Sequence, residues 1–327
     1  MSTDPAEADR AESRAVDWRP GADLAALRLR AGLLAEVRAF FAERGVLEVE
    51  TPLLGATGTT DLHIESLWLR DGAATFYLQS SPEHAMKRLL AAGSGPIYQL
   101  TRAFRAGEVG RLHNREFTIL EWYRPGFDLD ALMDETEALL ARLMGERPRR
   151  RTSLREALVA ATGIDPLVDD DTALRERCRP LVGDVADGLD RDDCIDLLLS
   201  HVVQPALGAG IVTVRGFPAS RAAQARLAAD DSRVAARFEV FVDGVEVGNA
   251  YHELIDAAEM AARFAADRAE RARRGRPDVP ADDRLVAALD HGLPDCCGIA
   301  MGFDRLVMLA AGANDLDSVC TFHGARA

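Results

Sequence analysis

The sequence predicts an α+β fold: an antiparallel sheet flanked by helices, with a helical insertion. Three observations lead there. A long amphipathic helix near the start runs into a short strand, residues 237–247 carry a strong hairpin signal, and the chain closes on a glycine-marked strand that passes into a helix.

The helix spans residues 24–43, where Leu27, Ala31, Leu34, Val37 and Phe41 fall on one stripe. Gly45 is a natural stop. Val46 to Glu50 then alternates like a strand and ends at Thr51-Pro52. Phe76 to Gln79 reads as another strand. It leads into Ser80-Ser81-Pro82-Glu83, where a serine followed by proline fits a helix start, and that helix continues to Gly93. Residues 97–100 and 117–123 are strand-like, and the charged, glycine-containing stretch 105–115 between them reads as a hairpin loop. A helix follows at 128–145. Residues 146–210 read as an insertion, with helices opening at Ser153 and at 189. Arg237 to Val242, Asp243-Gly244 and Val245 to Val247 form the hairpin, with a tight turn at Asp-Gly. A charged helix covers 256–274, and Gly298 to Leu309 gives the closing strand and helix.

The chain has 327 residues, 48% of them hydrophobic, enough for one large core with a modest insertion. No apolar run is long enough to span a bilayer. Met1 to Pro20 is acidic and lacks the apolar segment of a signal peptide, so residues 1–22 are expected to be a disordered lead, residues 23–327 a catalytic domain, and the protein cytoplasmic. Cys178, Cys194, Cys296, Cys297 and Cys320 form no metal-ligand spacing and read as reduced, mostly buried thiols. His84, His113 and His252 likewise show no ligand spacing. A net charge of -14 argues against a long nucleic-acid footprint and favours a protein or small-molecule substrate. Lys87 is the only lysine in the sequence.

In the hairpin, a two-residue turn pairs Val242 with Val245, Phe241 with Glu246 and Glu239 with Gly248. Glu239 and Glu246 then share one face as diagonal neighbours. Two carboxylates on an apolar hairpin either face solvent or hold a cation between them, such as a divalent ion bridging nucleotide phosphates. Arg105 after one strand and Arg305 at the start of the last helix together suit an anionic nucleotide, and Gly302 allows close backbone approach. Glu83, Glu121 and Glu253 border apolar elements, where solubility does not require a carboxylate.

These pieces stand in the order of the three motifs of the class II aminoacyl-tRNA synthetases, and the chain resembles that family over roughly residues 25–325. Leu33 to Pro52 looks like motif 1. Phe104-Arg105 through His113-Asn114-Arg115-Glu116-Phe117 to Glu121-Trp122-Tyr123 looks like motif 2. Gly298 to Leu309, with Gly302-Phe303-Asp304-Arg305, looks like motif 3. Ser81-Pro82-Glu83, Glu121-x-Tyr123, and Glu246-Val247-Gly248-Asn249 through His252-Glu253-Leu254 resemble the lysyl type. Motif 1 begins almost at once, where lysyl-tRNA synthetases carry an anticodon-reading barrel. The whole is similar to the truncated lysyl-tRNA synthetase paralogues that modify elongation factor P.

The resemblance implies a class II catalytic core, ATP and Mg²⁺ as cofactors, a homodimer, and ligation of (R)-β-lysine to one lysine of elongation factor P, with tRNA an unlikely acceptor. Residue by residue it implies that Arg105 holds the α-phosphate and that Phe117 and Arg305 sandwich the adenine. It implies that His113 and Asn114 line the nucleotide, that Gly302 closes its floor, and that Glu239 and Glu246 hold Mg²⁺. Val247 falls in the same nucleotide-binding stretch as Glu246. Ser81, Pro82, Glu83, Glu121, Tyr123 and Glu253 are implied in binding the amino acid, three carboxylates suiting a doubly aminated substrate. Ala300 stands where tRNA-charging relatives have glycine. Motif 2 departs from the family's Arg-Asn-Glu: here Arg105 is followed by Ala106-Gly107, with Glu108 one place later. The alternatives are a lysyl-type ligase charging tRNA or another carrier with α-lysine, and a catalytically silent nucleotide-binding paralogue.

Overall fold

The computed structural model describes residues 18–327. The expected lead therefore lies outside the described residues as far as residue 17. At its end, the N–H groups of Gly21 and Ala22 donate to the carbonyls of Thr321 and Cys320, tying the start of the described chain to its end.

Helix α1 (Leu24–Glu43) is capped by Asp23, whose side chain accepts the N–H of Ala26 at 2.8 Å. Gly45 turns the chain at φ +65°. The strand expected at 46–50 is only β1 (Leu47–Glu48), a parallel edge pairing with Ile97 and Tyr98. Strands β2 (Leu54–Gly55), β3 (Trp68–Asp71) and β4 (Ala74–Leu78) form a small separate sheet. Helix α2 (Glu83–Ala91) follows, then β5 (Ile97–Phe104), β6 (Glu116–Pro125) and α3 (Leu129–Met144).

Next come β7 (Arg149–Ser153), α4 (Leu154–Thr162), α5 (Asp171–Val182), α6 (Arg191–Leu198) and α7 (Gln204–Ala206). These helices and β8 (Ile211–Pro218) share a hydrophobic cluster that includes Leu158, Cys178, Ile195 and Phe217. The sequence reading gave no strand at 149–153. Its Arg-Arg-Arg-Thr-Ser has no apolar alternation, and it is a strand because it pairs in parallel with β8 at the sheet edge, where exposed charge is tolerated. The chain ends with β9 (Val234–Val242), β10 (Val245–His252), α8 (Ala257–Arg273), α9 (Asp283–Gly292), β11 (Cys296–Gly302) and α10 (Phe303–Ala310).

The main sheet has eight strands in the order β1-β5-β6-β11-β10-β9-β8-β7. All neighbours are antiparallel except the two edge pairs. It is buried on both faces, and alternation along β6 shows how. Leu120 and Trp122 join the core made with α1, α3 and α10, whereas Tyr123 joins the cluster made with α2, α8 and α9. Glu121 shares the Tyr123 face. A strand with apolar residues on one side and a carboxylate and phenol on the other is a wall between core and site.

The β9–β10 turn has φ +49° at Asp243 and +78° at Gly244, as a tight hairpin turn requires. Val242 pairs with Val245 and Phe241 with Glu246, as expected, but a bulge between Glu246 and Gly248 shifts the rest: Glu239 pairs with Asn249, not with Gly248. The same-face placement of Glu239 and Glu246 survives, because Glu246 pairs with Phe241, two residues from Glu239 on β9, and both glutamates line one small cavity.

Candidate active site

A groove of about 1320 Å³ runs across the sheet face opposite α1 and α3. One end is basic. Arg105 follows directly on β5; its N–H donates to the Arg115 carbonyl at 2.9 Å, and its guanidinium lies 5.0 Å over the Phe117 ring. Glu108 approaches it at 3.6 Å. Arg305, at the start of α10, donates to the Glu246 carbonyl at 2.8 Å and the Leu112 carbonyl at 3.2 Å. Its other terminal nitrogen is 2.8 Å from His113 Nε2. Burial, together with the Arg305 charge, lowers the His113 pKa, so its ring is neutral and accepts that proton. Asn114 donates to the Glu116 carbonyl at 2.8 Å, which fixes the end of the loop between β5 and β6. Planar aromatic, guanidinium and imidazole groups in one open cleft suit a nucleotide with its phosphates.

The other end is acidic and dry. Glu121 and Glu253 are each 1% exposed. Tyr123 donates its hydroxyl to Glu121 Oε1 at 2.7 Å, and Glu121 Oε2 is buried with no hydrogen-bond partner among the described residues. Glu83 stands at the N-terminus of α2, with Ser81 Oγ accepting its N–H at 3.3 Å. Burial first, then the neighbouring carboxylates, push the Glu121 and Glu253 pKa values well above the ordinary carboxylate range, and the Tyr123 phenol upward. Lys87 opposes this. It is fully buried, one turn along α2 from Glu83, with Nζ 2.7 Å from Glu83 and 2.6 Å from Glu253. Burial works against its charge, but the two carboxylates outweigh burial and raise its pKa.

Residues 6–325 match the family described as tRNA synthetases class II (D, K and N). The chain belongs to that family. Over 324 residues it is 47% identical to a Yersinia enterocolitica protein named elongation factor P–(R)-β-lysine ligase, an alignment that covers 96% of this chain and 100% of that protein. Proteins of the same name from Salmonella gallinarum and Salmonella typhi are 46% identical over the same shares. The α+β class and the synthetase-type sheet expected from the sequence are those of the structure.

Within this class II synthetase core, the groove gathers Ser81, Pro82, Glu83, Arg105, Glu108, His113, Asn114, Phe117, Glu121, Tyr123, Glu246, Val247, Glu253, Ala300, Gly302 and Arg305. Three residues singled out in the sequence do not line it. Ala106 donates its N–H to the Glu65 carbonyl at 2.8 Å, and Gly107 turns the chain at φ +77°, so both shape the loop through backbone. Glu239 lies in the adjoining cavity with Glu246 and Asp196, held by Arg237 at 2.6 Å. Burial raises its pKa, Arg237 opposes that, and Glu246 adds to it.

Sequence reading missed Lys87 as a site residue, although its being the single lysine was a signal. It also missed Gly298, which faces Tyr123 across the β6–β11 pairing. A Cβ there would meet the Tyr123 ring at 2.4 Å and Glu253 Oε1 at 2.7 Å, so the close approach of these two groups requires glycine. Gln224 had no sequence signal; it reaches Lys87 from the loop before β9.

Proposed function

We propose that this chain is an AMP-forming ligase that activates (R)-β-lysine with ATP and transfers the β-lysyl group to the ε-amine of a lysine of elongation factor P. The observation that carries the amino-acid half is the acidic end of the groove. Three carboxylates, two of them with a buried oxygen that accepts no hydrogen bond among the described residues, adjoin a basic nucleotide-sized cleft. Two ammonium groups on one substrate would satisfy them, and the substrate's own carboxylate would then point toward Arg105. The acceptor follows from the name of the relatives that the chain matches along their whole length.

Activation forms a bond between a carboxylate oxygen of the amino acid and the α-phosphorus of ATP and breaks the bond to the bridging oxygen, releasing pyrophosphate. Arg105 would stabilise the charge that gathers on the α-phosphoryl oxygens. Phe117 and Arg305 would flank the adenine, with His113 and Asn114 at its edge. In the second step the acceptor amine attacks the acyl carbon, AMP leaves and the amine loses a proton. No nucleophile from the chain is needed, because the acyl group is already activated.

Mg²⁺ would screen the charge of the triphosphate. Glu246 and Glu239 fit it: they flank one cavity beside the nucleotide cleft, and Glu246 raises the pKa of the buried Glu239 through a repulsion that a cation between them would relieve. Among the described residues no cluster of three or more His, Cys, Asp or Glu forms a metal site, which fits an ion that takes its other ligands from phosphates. Ala300, paired with Glu121 on one side and Asn249 on the other, adds a methyl to the floor of the amino-acid end, where it would favour a shifted amino group.

A homodimer through the motif 1 region is supported by Leu47, Leu53, Leu54, Trp68 and Leu69, all exposed on α1's outgoing segment and the small sheet. Light scattering at micromolar concentration that returns a monomer mass counts against it. No helix among the described residues is long and apolar enough to cross a membrane; a cytoplasmic enzyme accords with a translation factor as acceptor. The deciding experiment incubates purified protein with ATP, elongation factor P and either α- or β-lysine. A mass increase of the factor with β-lysine is expected; no increase with β-lysine, or a clear preference for α-lysine, overturns the reading.

A further inference from the structure

Lys87 is fully buried, and its ammonium is enclosed by three polar groups. It donates to Glu83 Oε1 at 2.7 Å and Gln224 Oε1 at 3.0 Å, and Glu253 Oε2 lies 2.6 Å away as an ion-pair partner. The protonated amine has no lone pair to react. Gln224 is itself oriented: with its oxygen facing Lys87, its amide nitrogen lies 3.2 Å from His84 Nε2 and donates to it. His84 therefore carries its proton on Nδ1, 3.2 Å from Asp282. Four elements thus converge to hold one ammonium in a wall of the amino-acid pocket. The other polar groups within reach of its charge are Glu121 from β6 and Cys296 from β11. A lysine needed only to anchor α2 could make its bond to Glu83 in solvent, since the two are one helical turn apart.

We propose that Lys87 sets the specificity of the pocket: its ammonium neutralises one of the three carboxylates Glu83, Glu121 and Glu253, so that the site is balanced by a substrate with two ammonium groups. This rests on the diamine-activating reading above. In a buried site a mismatch of one charge is costly, because neither water nor counterion compensates it. A substrate with a single amine leaves one carboxylate unmatched and is rejected. Lys87 touches neither nucleotide nor reacting carboxylate, so it is a positioning residue that acts through Glu83 and Glu253.

The test is a charge count. Amino-acid-dependent ATP–pyrophosphate exchange is measured for wild type, K87M, E83Q and the double variant K87M/E83Q, with β-lysine and with an analogue in which the side-chain amine is replaced by methyl. In K87M the KM for β-lysine is expected to rise about tenfold or more at neutral pH, with kcat within about threefold. The double variant restores the balance and should recover most of that loss. E83Q alone, with one negative charge too few, should shift preference toward the single-amine analogue by about tenfold. Lys87 as a mere structural anchor would give a double variant no better than K87M and an unchanged preference in E83Q; either result overturns the proposal. Should K87M not fold, the E83Q preference decides. A wild type that activates no diamine overturns this proposal and the function reading together, whereas normal wild-type exchange with unaltered variants overturns this proposal alone.

Discussion

Glu246 and Glu253 line the same groove although seven positions separate them, an odd number that strict alternation would place on opposite faces. The bulge between Glu246 and Gly248 supplies the missing step. Before it, Glu246 faces the nucleotide end; after it, Asn249, Tyr251 and Glu253 face the amino-acid end. Val247 is the extra residue, since Gly248 pairs with Val240 and Asn249 with Glu239. Deleting it leaves six positions between the two glutamates, so plain alternation keeps both on the groove face. Pyrophosphate exchange in a folded deletion variant is expected to stay within about tenfold of wild type; a fall of about a hundredfold or more, the scale of removing a group that acts on the transition state, would show that the bulge itself shapes the site.

Gly298 leaves no room for a methyl between Tyr123 and Glu253. G298A should push the Tyr123 ring from Glu253, raise the KM for β-lysine more than that for ATP, and cost about 1–3 kcal/mol of stability by overpacking. Steady-state kinetics for both substrates and a urea melt check this. Equal changes in the two KM values would mean a general disturbance instead of a local one.

The acidic end gives a pH dependence with a definite sign. Glu121 and Glu253 have folded-state pKa values above the unfolded value. Between the ordinary 4.5 and about 8, the folded protein therefore holds protons that the unfolded chain has released, and its stability declines as pH rises through that window. A dicationic amino acid favours the charged carboxylates. Its KM should fall, and its thermal stabilisation of the protein grow, from pH 6 to pH 8. E121Q should flatten both trends. A KM that rises with pH over this range would contradict the assignment.

Glu239 is bound by Arg237, whereas Glu246 is more exposed and 3.8 Å from Arg305. E246Q is expected to raise the Mg²⁺ concentration for half-maximal exchange more than E239Q, because the Glu239 carboxylate is already engaged by Arg237 and is less free to reach the ion. A Mg²⁺ titration of both variants checks the order.

On the proposed function the chain would make an acyl group that reacts with lysine amines, yet its single lysine is buried and held protonated. After incubation with ATP and β-lysine without acceptor, the peptide containing Lys87 should keep its unmodified mass. A β-lysyl adduct on that peptide would show that the pocket opens.

Much of the fold was legible in local pattern. The stripe of α1, the Asp243-Gly244 turn, and the strand-to-helix passage at Gly302 depend on neighbours a few residues apart, so sequence spacing determines them. The order of Arg105, Glu121, Glu253 and Arg305 along the chain was legible for the same reason, because Glu121 lies within such an element and the other three lie close to the ends of one. What the spacing could not convey depends on contacts between distant segments. The β7 strand exists through its pairing with β8, and α9 packs against α2 through a stretch without a clear period. The bulge that brings Glu246 and Glu253 to one groove costs a broken ladder position and is stable only within the pairing of three strands. The environment of Lys87 is the sharpest case. The sequence alone determined that there is one lysine, four positions from Glu83. Only the tertiary structure decided that Glu253 and Gln224, both far along the chain, close around its ammonium, because burial of a charge is tolerated only where folding has already brought its partners together.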